Sequence, residues 1–252
     1  MKVTIIGAGN MGGAVATGLA KAGRIPASDI TVTARHQTTL DKFAPYGINT
    51  SLDNLKAVED ADVVMLVVKP WLIGEVVSEI KPALSGQLIV SMAPGVKSED
   101  LLRMLPEGAR LVYVIPNTAI EILQSMTFIA PITAGSEEVE ALFEGTGTTM
   151  TVDEKHLSAG TALASCGIAY AMRYVRAASE GGVELGFYAK DAVKIVCQTV
   201  MGAASLISAH GTHPEEEIDK VTTPGGITIK GLNEMERSGF TNAVISGLKA
   251  SK

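Results

Sequence analysis

Gly7, Gly9 and Gly12, in the opening MKVTIIGAGNMGGAVATGL, constrain this chain more than any other feature. They follow a short β-branched run, Val3–Ile6, and open an amphipathic stretch, Met11–Ala22. A GxGxxG placed between strand and helix is the phosphate-binding turn of a dinucleotide fold. Gly7 allows the tight turn, Gly9 leaves room for a pyrophosphate to approach the backbone, and Gly12 lets the helix pack closely. The pyrophosphate then meets free N–H groups at the positive end of the helix dipole. Gly7, Ala8, Gly9, Asn10, Met11 and Gly12 are therefore the first candidate cofactor-binding residues.

A second strand, Ile30–Ala34, ends in Thr33-Ala34-Arg35-His36. An NAD enzyme carries Asp or Glu here to bind the adenosine ribose 2′-hydroxyl. Ala34 supplies no carboxylate to repel a 2′-phosphate, and Arg35, read as the only cation at this position, can pair with one. NADPH is the expected cofactor, with NADH a weaker alternative.

Further strands are predicted at Val63–Val68, Leu88–Ser91 and Leu111–Val114, with weaker ones at Met126–Ile129 and Thr148–Val152. Helical periodicity falls between them, at Thr39–Ala44, Leu72–Ile80, Glu99–Leu105 and Glu137–Glu144. This alternation predicts an α/β fold: an N-terminal Rossmann-type doubly wound sheet over residues 1–152. From 153 to 252 the pattern becomes all helix, with two long apolar segments divided near Gly186. A stretch as apolar as Ala192–Ile207 needs a second subunit to cover it, so this half is read as a helical dimerisation domain.

Composition narrows the function. A formal net charge of −6 lacks the basic footprint of a nucleic-acid binder, which leaves a small molecule as the expected partner. Uninterrupted apolar runs such as Val63–Val68 are far shorter than the ~20 residues of a membrane span, and no secretory segment precedes the glycines. No membrane association and a cytoplasmic location are expected. Cys166 and Cys197 form no CxxC pair and read as buried free thiols, and no metal site is expected.

A second dense motif runs from His213-Pro214-Glu215-Glu216-Glu217 through Val221-Thr222-Thr223-Pro224-Gly225-Gly226-Ile227-Thr228. Pro214 and three acids suit the first turn of a helix. Pro224-Gly225-Gly226 must turn, with positive φ assigned to Gly226, and Ile227–Glu236 has helical composition. The turn would aim backbone N–H groups, with the hydroxyls of Thr223 and Thr228, at a carboxylate. His210 and His213 straddle Gly211 and read as capping or exposed groups.

At these residues the chain resembles the pyrroline-5-carboxylate reductase family over almost its whole length. The matching pieces are Gly7–Gly12, Asn54 with Ala61–Val64, Val68-Lys69-Pro70, Pro116-Asn117-Thr118, Thr161–Leu163 with Gly167 and Tyr170, and Val221–Thr228. The resemblance implies NADPH-dependent reduction of 1-pyrroline-5-carboxylate to L-proline, and a homodimer built into a larger homo-oligomer such as a decamer. It implies an active site at the dimer interface, with Thr223, Gly225, Gly226, Ile227 and Thr228 holding the substrate. Asn54, Val68, Lys69 and Pro70 would touch the cofactor, Ala93 and Gly95 would line its nicotinamide side, and Glu154 and Lys220 would lie near it. The chain departs from the usual pattern at Tyr113, Pro94, Ile168 and Ile227, positions that bear on preference among cyclic imines.

The chemistry is undemanding of acids. A protonated imine accepts hydride at carbon directly, so orientation and exclusion of water matter most, and Thr228 is the candidate for the polar contact to the ring nitrogen. A rival 3-hydroxyacid dehydrogenase would need a Lys in its first C-terminal helix, and Thr161–Ala171 has none. A catalytically silent NADPH-binding regulator is the rival from outside enzymology.

Overall fold

The computed structural model describes all residues 1–252. They form two compact units, Met1–Ser165 and Cys166–Lys252.

The first unit is built on one sheet of eight strands: β1 (Val3–Ile6), β2 (Ile30–Thr33), β3 (Asn49–Ser51), β4 (Val63–Leu66), β5 (Leu88–Ser91), β6 (Arg110–Ile115), β7 (Ser125–Pro131) and β8 (Gly147–Thr151). Their order is β3-β2-β1-β4-β5-β6-β7-β8. Strands β1 to β6 are all parallel, in the doubly wound arrangement expected of a dinucleotide fold. β7 runs antiparallel to β6, and β8 parallel to β7.

Seven helices accompany the sheet: α1 (Asn10–Ala22), α2 (Gln37–Leu40), α3 (Asn54–Glu59), α4 (Ile73–Ile80), α5 (Ser98–Met104), α6 (Ser136–Phe143) and α7 (Leu157–Gly160). Alternation along the strands explains why both sheet faces need them. Val3 and Ile5, Val63 and Met65, and Val112 and Val114 join one core with Val15 and Leu19 of α1 and Val139 and Phe143 of α6. Ile6, Val64, Leu66, Leu111 and Ile115 join the other, with Val58 of α3, Val77 and Ile80 of α4 and Leu101 of α5.

The order of β1 reverses against β4, so a crevice opens where the chain leaves these two strands in opposite directions. Gly7–Gly12 and Val67–Pro70 follow β1 and β4 and thus meet at this point.

Three local expectations change. β3 and α3 were not evident in the sequence. The helix expected at Thr39–Ala44 is a single turn, α2, followed by a 3-10 segment, Asp41–Tyr46, which contains Pro45. Proline cannot donate to a helical ladder, which accounts for the shift.

The second unit is all helix: α8 (Gly167–Glu184), α9 (Ala189–His210), α10 (Pro214–Lys220), α11 (Ile227–Arg237) and α12 (Phe240–Ala250). α8 and α9 turn at Gly186, whose φ is 102°. They pack where Gly182 faces Ala192, a contact in which a Cβ on Gly182 would lie 3.0 Å from the Ala192 Cβ. Only Ser179 and Ala192 are buried in this unit, while Leu185 and Tyr188 are each 84% exposed. Cys166 and Cys197 are free thiols as expected, but half-buried in the single chain.

By length and composition α9 would suffice to cross a bilayer, a property that uninterrupted apolar runs did not reveal. Its first turns carry Lys190, Asp191 and Lys194.

Candidate functional site

The glycine turn has the geometry its spacing predicts. Gly7 sits at φ +110°, where a Cβ would also approach the Val67 carbonyl oxygen to 2.7 Å. A Cβ on Gly12 would collide with the Gly7 carbonyl oxygen at 1.9 Å, whereas one on Gly9 would meet nothing within 4 Å. The open space is therefore at Gly9, the residue from which α1 starts. No side chain caps α1 and no acid lies in its first turn, so its N–H groups remain available to an anion. These residues fit a dinucleotide pyrophosphate.

The turn is stitched to the end of β2. Gly7 and Ala8 both donate their N–H groups to the Thr33 carbonyl, at 3.2 and 2.9 Å. Ala34 is half-buried against the core, and Arg35 and His36 are exposed beyond it. Thr33 Oγ1 donates to Asn54 Oδ1 at 2.6 Å, and Asn54 Nδ2 donates to Glu79 Oε2 at 2.9 Å. Asn54 thus fixes the mouth of the crevice, with both ends of its amide in use.

Sequence spacing missed Lys42. Its Nζ donates to the Ala8 carbonyl at 3.2 Å, reaching the glycine turn from the 3-10 segment after α2. Its place in the fold depends on how that segment folds back, which no short motif encodes.

At the next two strand ends, Val67 donates its N–H to the Ile6 carbonyl and Met92 to that of Leu66. Val68, Lys69 and Pro70 follow, with Lys69 leading into a 3-10 turn, Pro70–Leu72. Ala93 is fully buried, whereas Gly95 is exposed at φ +79°. A cavity of about 430 Å³ lies between Pro70–Gly74 and the segment from Gly95 to Met104.

Two contacts hold the Met92–Lys97 loop. Tyr113 of β6, 2% exposed, donates its hydroxyl to the Val96 carbonyl at 2.9 Å. Burial, aided by the charges of Glu154 and Asp100 and opposed by a Ser91 contact, pushes the Tyr113 hydroxyl up to about 12. Glu154 accepts from Ser98 N at 3.0 Å and Ser98 Oγ at 2.7 Å, capping α5 from outside the helix. Glu154 therefore acts on the loop's far end through α5.

Two further motifs come together beside β7. Asn117 Nδ2 donates to the Ala164 carbonyl at 3.4 Å, and Ser165 Oγ to that of Pro116 at 2.9 Å. Residues Thr161–Cys166 form a π-helical turn, a form that often marks functional sites.

In the helical unit, the Val221–Thr228 segment is a turn leading into α11. Gly226 N–H donates to the Thr223 carbonyl at 2.9 Å. The positive φ of this turn belongs to Gly225, at +72°, which corrects the assignment of that conformation to Gly226. Gly226 is the extended N-cap of α11, at φ −64° and ψ 168°. It must still be glycine-sized, because a Cβ there would lie 2.6 Å from Thr223 Oγ1. Ile227 is 86% exposed and Thr228 is exposed. No side chain caps α11 and no acid lies in its first turn, so its N–H groups remain available to an anion.

Upstream, His213 Nδ1 caps α10 by accepting from Glu215 N at 3.3 Å. Glu217 Oε1 receives Lys220 Nζ at 2.7 Å and Thr212 Oγ1 at 2.6 Å, with His210 Nδ1 at 3.1 Å. Lys220 beside it, then Thr212 and His210, hold the Glu217 carboxyl down to about 2. Lys220 is thus engaged within its own unit.

Comparison with known proteins agrees with both halves of this picture. Residues 154–252 match a family model described as pyrroline-5-carboxylate reductase dimerisation. Residues 2–95 match one described as NADP oxidoreductase, coenzyme F420-dependent. A pyrroline-5-carboxylate reductase of Methanosarcina acetivorans is 36% identical, over 100% of this chain and 97% of the relative. Pyrroline-5-carboxylate reductase 1 of Dictyostelium discoideum is also 36% identical over 99% of this chain, which spans 48% of that longer relative. The crystal structure of Plasmodium falciparum pyrroline carboxylate reductase with NADP bound superposes with a TM-score of 0.90 at 26% identity, covering 100% of this chain and 95% of that one. Full-length similarity above 30% leaves one conclusion: the chain belongs to the pyrroline-5-carboxylate reductase family.

Proposed function

We propose that this chain reduces 1-pyrroline-5-carboxylate to L-proline, with NADPH as the preferred reductant and NADH a weaker one. The observation that carries this reading is the Thr223–Gly226 turn, which opens the uncapped N-terminus of α11 beside two threonine hydroxyls. In a chain whose other half carries a nucleotide-binding glycine turn, a carboxylate cradle specifies a reducible substrate bearing a carboxylate.

When bound, the reduced nicotinamide supplies a hydride to the imine carbon. The N–H groups at the start of α1 hold the pyrophosphate, Arg35 meets the 2′-phosphate, and Ala34 keeps that position free of negative charge. Val68–Pro70, Ala93 and Gly95 border the nicotinamide end, with Asn54 fixing the crevice mouth. Thr223, Gly225, Gly226 and Ile227 seat the substrate carboxylate. Thr228 places its hydroxyl at the ring nitrogen, orienting it first and relaying a proton second. A protonated imine requires no stronger acid.

The residue roles follow a division into a nucleotide domain, 1–152, and a helical domain, 153–252. The start of the dimerisation match at residue 154 supports this boundary, although Glu154–Ser165 cluster with the first unit. The chain works as a homodimer within a larger assembly such as a decamer, in the cytoplasm. The apolar face of α9 is assigned to a second copy, a reading supported by the dimerisation match over that helix.

The test is NADPH oxidation with 1-pyrroline-5-carboxylate against a panel of cyclic imines and 3-hydroxy acids. The pyrroline is expected to turn over fastest. Turnover confined to 3-hydroxy acids, or nucleotide binding with no imine reduced, would overturn the proposal.

A further inference from the structure

Lys42 reaches the glycine turn from a distant part of the chain, where its amine donates to the Ala8 carbonyl at 3.2 Å. It also lies over Gly13, whose ideal Cβ would sit 3.0 Å from Lys42 Nζ. Its amine lies over the ring of Phe43, 5.1 Å from the centroid. The nearest acid in sequence, Asp41, is engaged by Gln37 at 3.0 Å, and neither Lys42 nor Arg35 takes part in an ion pair. Two unneutralised cations therefore border one short turn, because Ala8 is also tied to Thr33, the residue two before Arg35.

A single carbonyl contact does not use an ammonium fully. Lys⁺ has three donors, and the Ala8 carbonyl takes one. Neutral hydrogen-bonding of Ala8 would not require a charge, whereas a phosphate dianion on the ribose would gain from two nearby cations.

We infer that Lys42 is a second 2′-phosphate contact and, with Arg35, sets the preference for NADPH over NADH. This rests on the proposed cofactor reading. It predicts that neither cation alone carries the discrimination, since an exposed lysine or arginine contributes modestly and is screened by salt.

The test is equilibrium binding of NADPH and of NADH, followed by nucleotide fluorescence, to the wild-type protein and to Lys42→Met, Lys42→Arg, Arg35→Ala and the double variant. Methionine keeps an unbranched chain of similar length and removes the charge together with the bond to the Ala8 carbonyl. Lys42→Met and Arg35→Ala should each weaken NADPH by about five- to tenfold, the double variant by more, and NADH by less than about twofold. Lys42→Arg should retain most NADPH affinity, and the loss in Lys42→Met should shrink at high salt. Equal weakening of both nucleotides by Lys42→Met would make Lys42 a support for the glycine turn and overturn the inference, as would no change in either. Failure of the wild-type protein to bind any nicotinamide nucleotide would instead refute the underlying cofactor reading.

Discussion

Thr228 stands at the start of α11 with its hydroxyl unused by any intramolecular contact. Such a side chain costs little to remove from the free protein, so its replacement reads out the bound state almost alone. On the proposed reading, Thr228→Ala removes one hydrogen bond to the bound substrate. It should lower kcat/KM for the pyrroline roughly ten- to a hundredfold, with NADPH affinity unmoved. Steady-state kinetics beside nucleotide titration would check this, and an unaltered rate would make the turn a simple helix cap. The difference between Thr228 and Lys42 shows what is legible at this scale. Thr228 lies in a run whose turn chemistry is written in adjacent residues, Thr223-Pro224-Gly225-Gly226. Lys42 acquires its contact only when the segment after α2 folds back over α1. The place of Arg35 just past β2 was legible because a strand end fixes it within a residue or two.

Among the elements, every strand but β3 could be read: β1, β4 and β5 most plainly, as β-branched runs buried on both faces, then β2 and the centre of β6, and β7 and β8 more weakly. β3, Asn-Thr-Ser at the sheet edge, has no such run, and α3 is marked mainly by its Asp53 cap, which accepts from Lys56 N at 3.0 Å. The turn before α11 was legible as a turn but not in its detail, because Gly225 and Gly226 are chemically alike and only the fold decides which takes positive φ. Their substitutions should therefore fail differently. Gly225→Ala strains the backbone at φ +72°, whereas Gly226→Val forces a side chain onto Thr223, whose Oγ1 would lie 2.6 Å from the new Cβ. Both should lose imine reduction while keeping NADPH binding, with Gly226→Val the more severe because its side chain also fills the cradle. Equal kinetics for wild type and Gly226→Val would place the substrate elsewhere.

Glu217 couples the end of α9 to α10, immediately before that turn. Its carboxyl, ordinarily near 4.5, is pulled down to about 2 by Lys220, Thr212 and His210. A depressed folded-state value means that the contact stabilises the fold fully above the ordinary carboxylate range and is lost as pH falls toward 2. Hydrogen exchange of α10 should therefore accelerate between about pH 4.5 and pH 2 relative to a Glu217→Gln variant, which keeps the acceptor but cannot titrate. Identical acid profiles in the two proteins would show that the cluster is only a surface contact.

For the whole molecule, the decisive contrast is between a first unit with two cores and a helical unit, Cys166–Lys252, in which only Ser179 and Ala192 are buried. Helices do not persist on propensity alone, since most of their stability comes from packing an apolar face. Along α9, Val193 and Ile195 are each 46% exposed, Met201 56% and Leu206 48%, more apolar surface than a helix leaves in water. A second copy covers it without any new chemistry, because an isologous interface presents the same patch twice. Light scattering should then give a mass at least twice the 26.2 kDa of one chain. The melting temperature should rise with protein concentration, as mass action requires of a fold completed by association. Met201→Lys, which leaves the first unit untouched, should lower the assembly state and imine reduction together while the nucleotide unit continues to bind NADPH. A stable monomer that reduces the pyrroline at the wild-type rate would contradict the argument at its root.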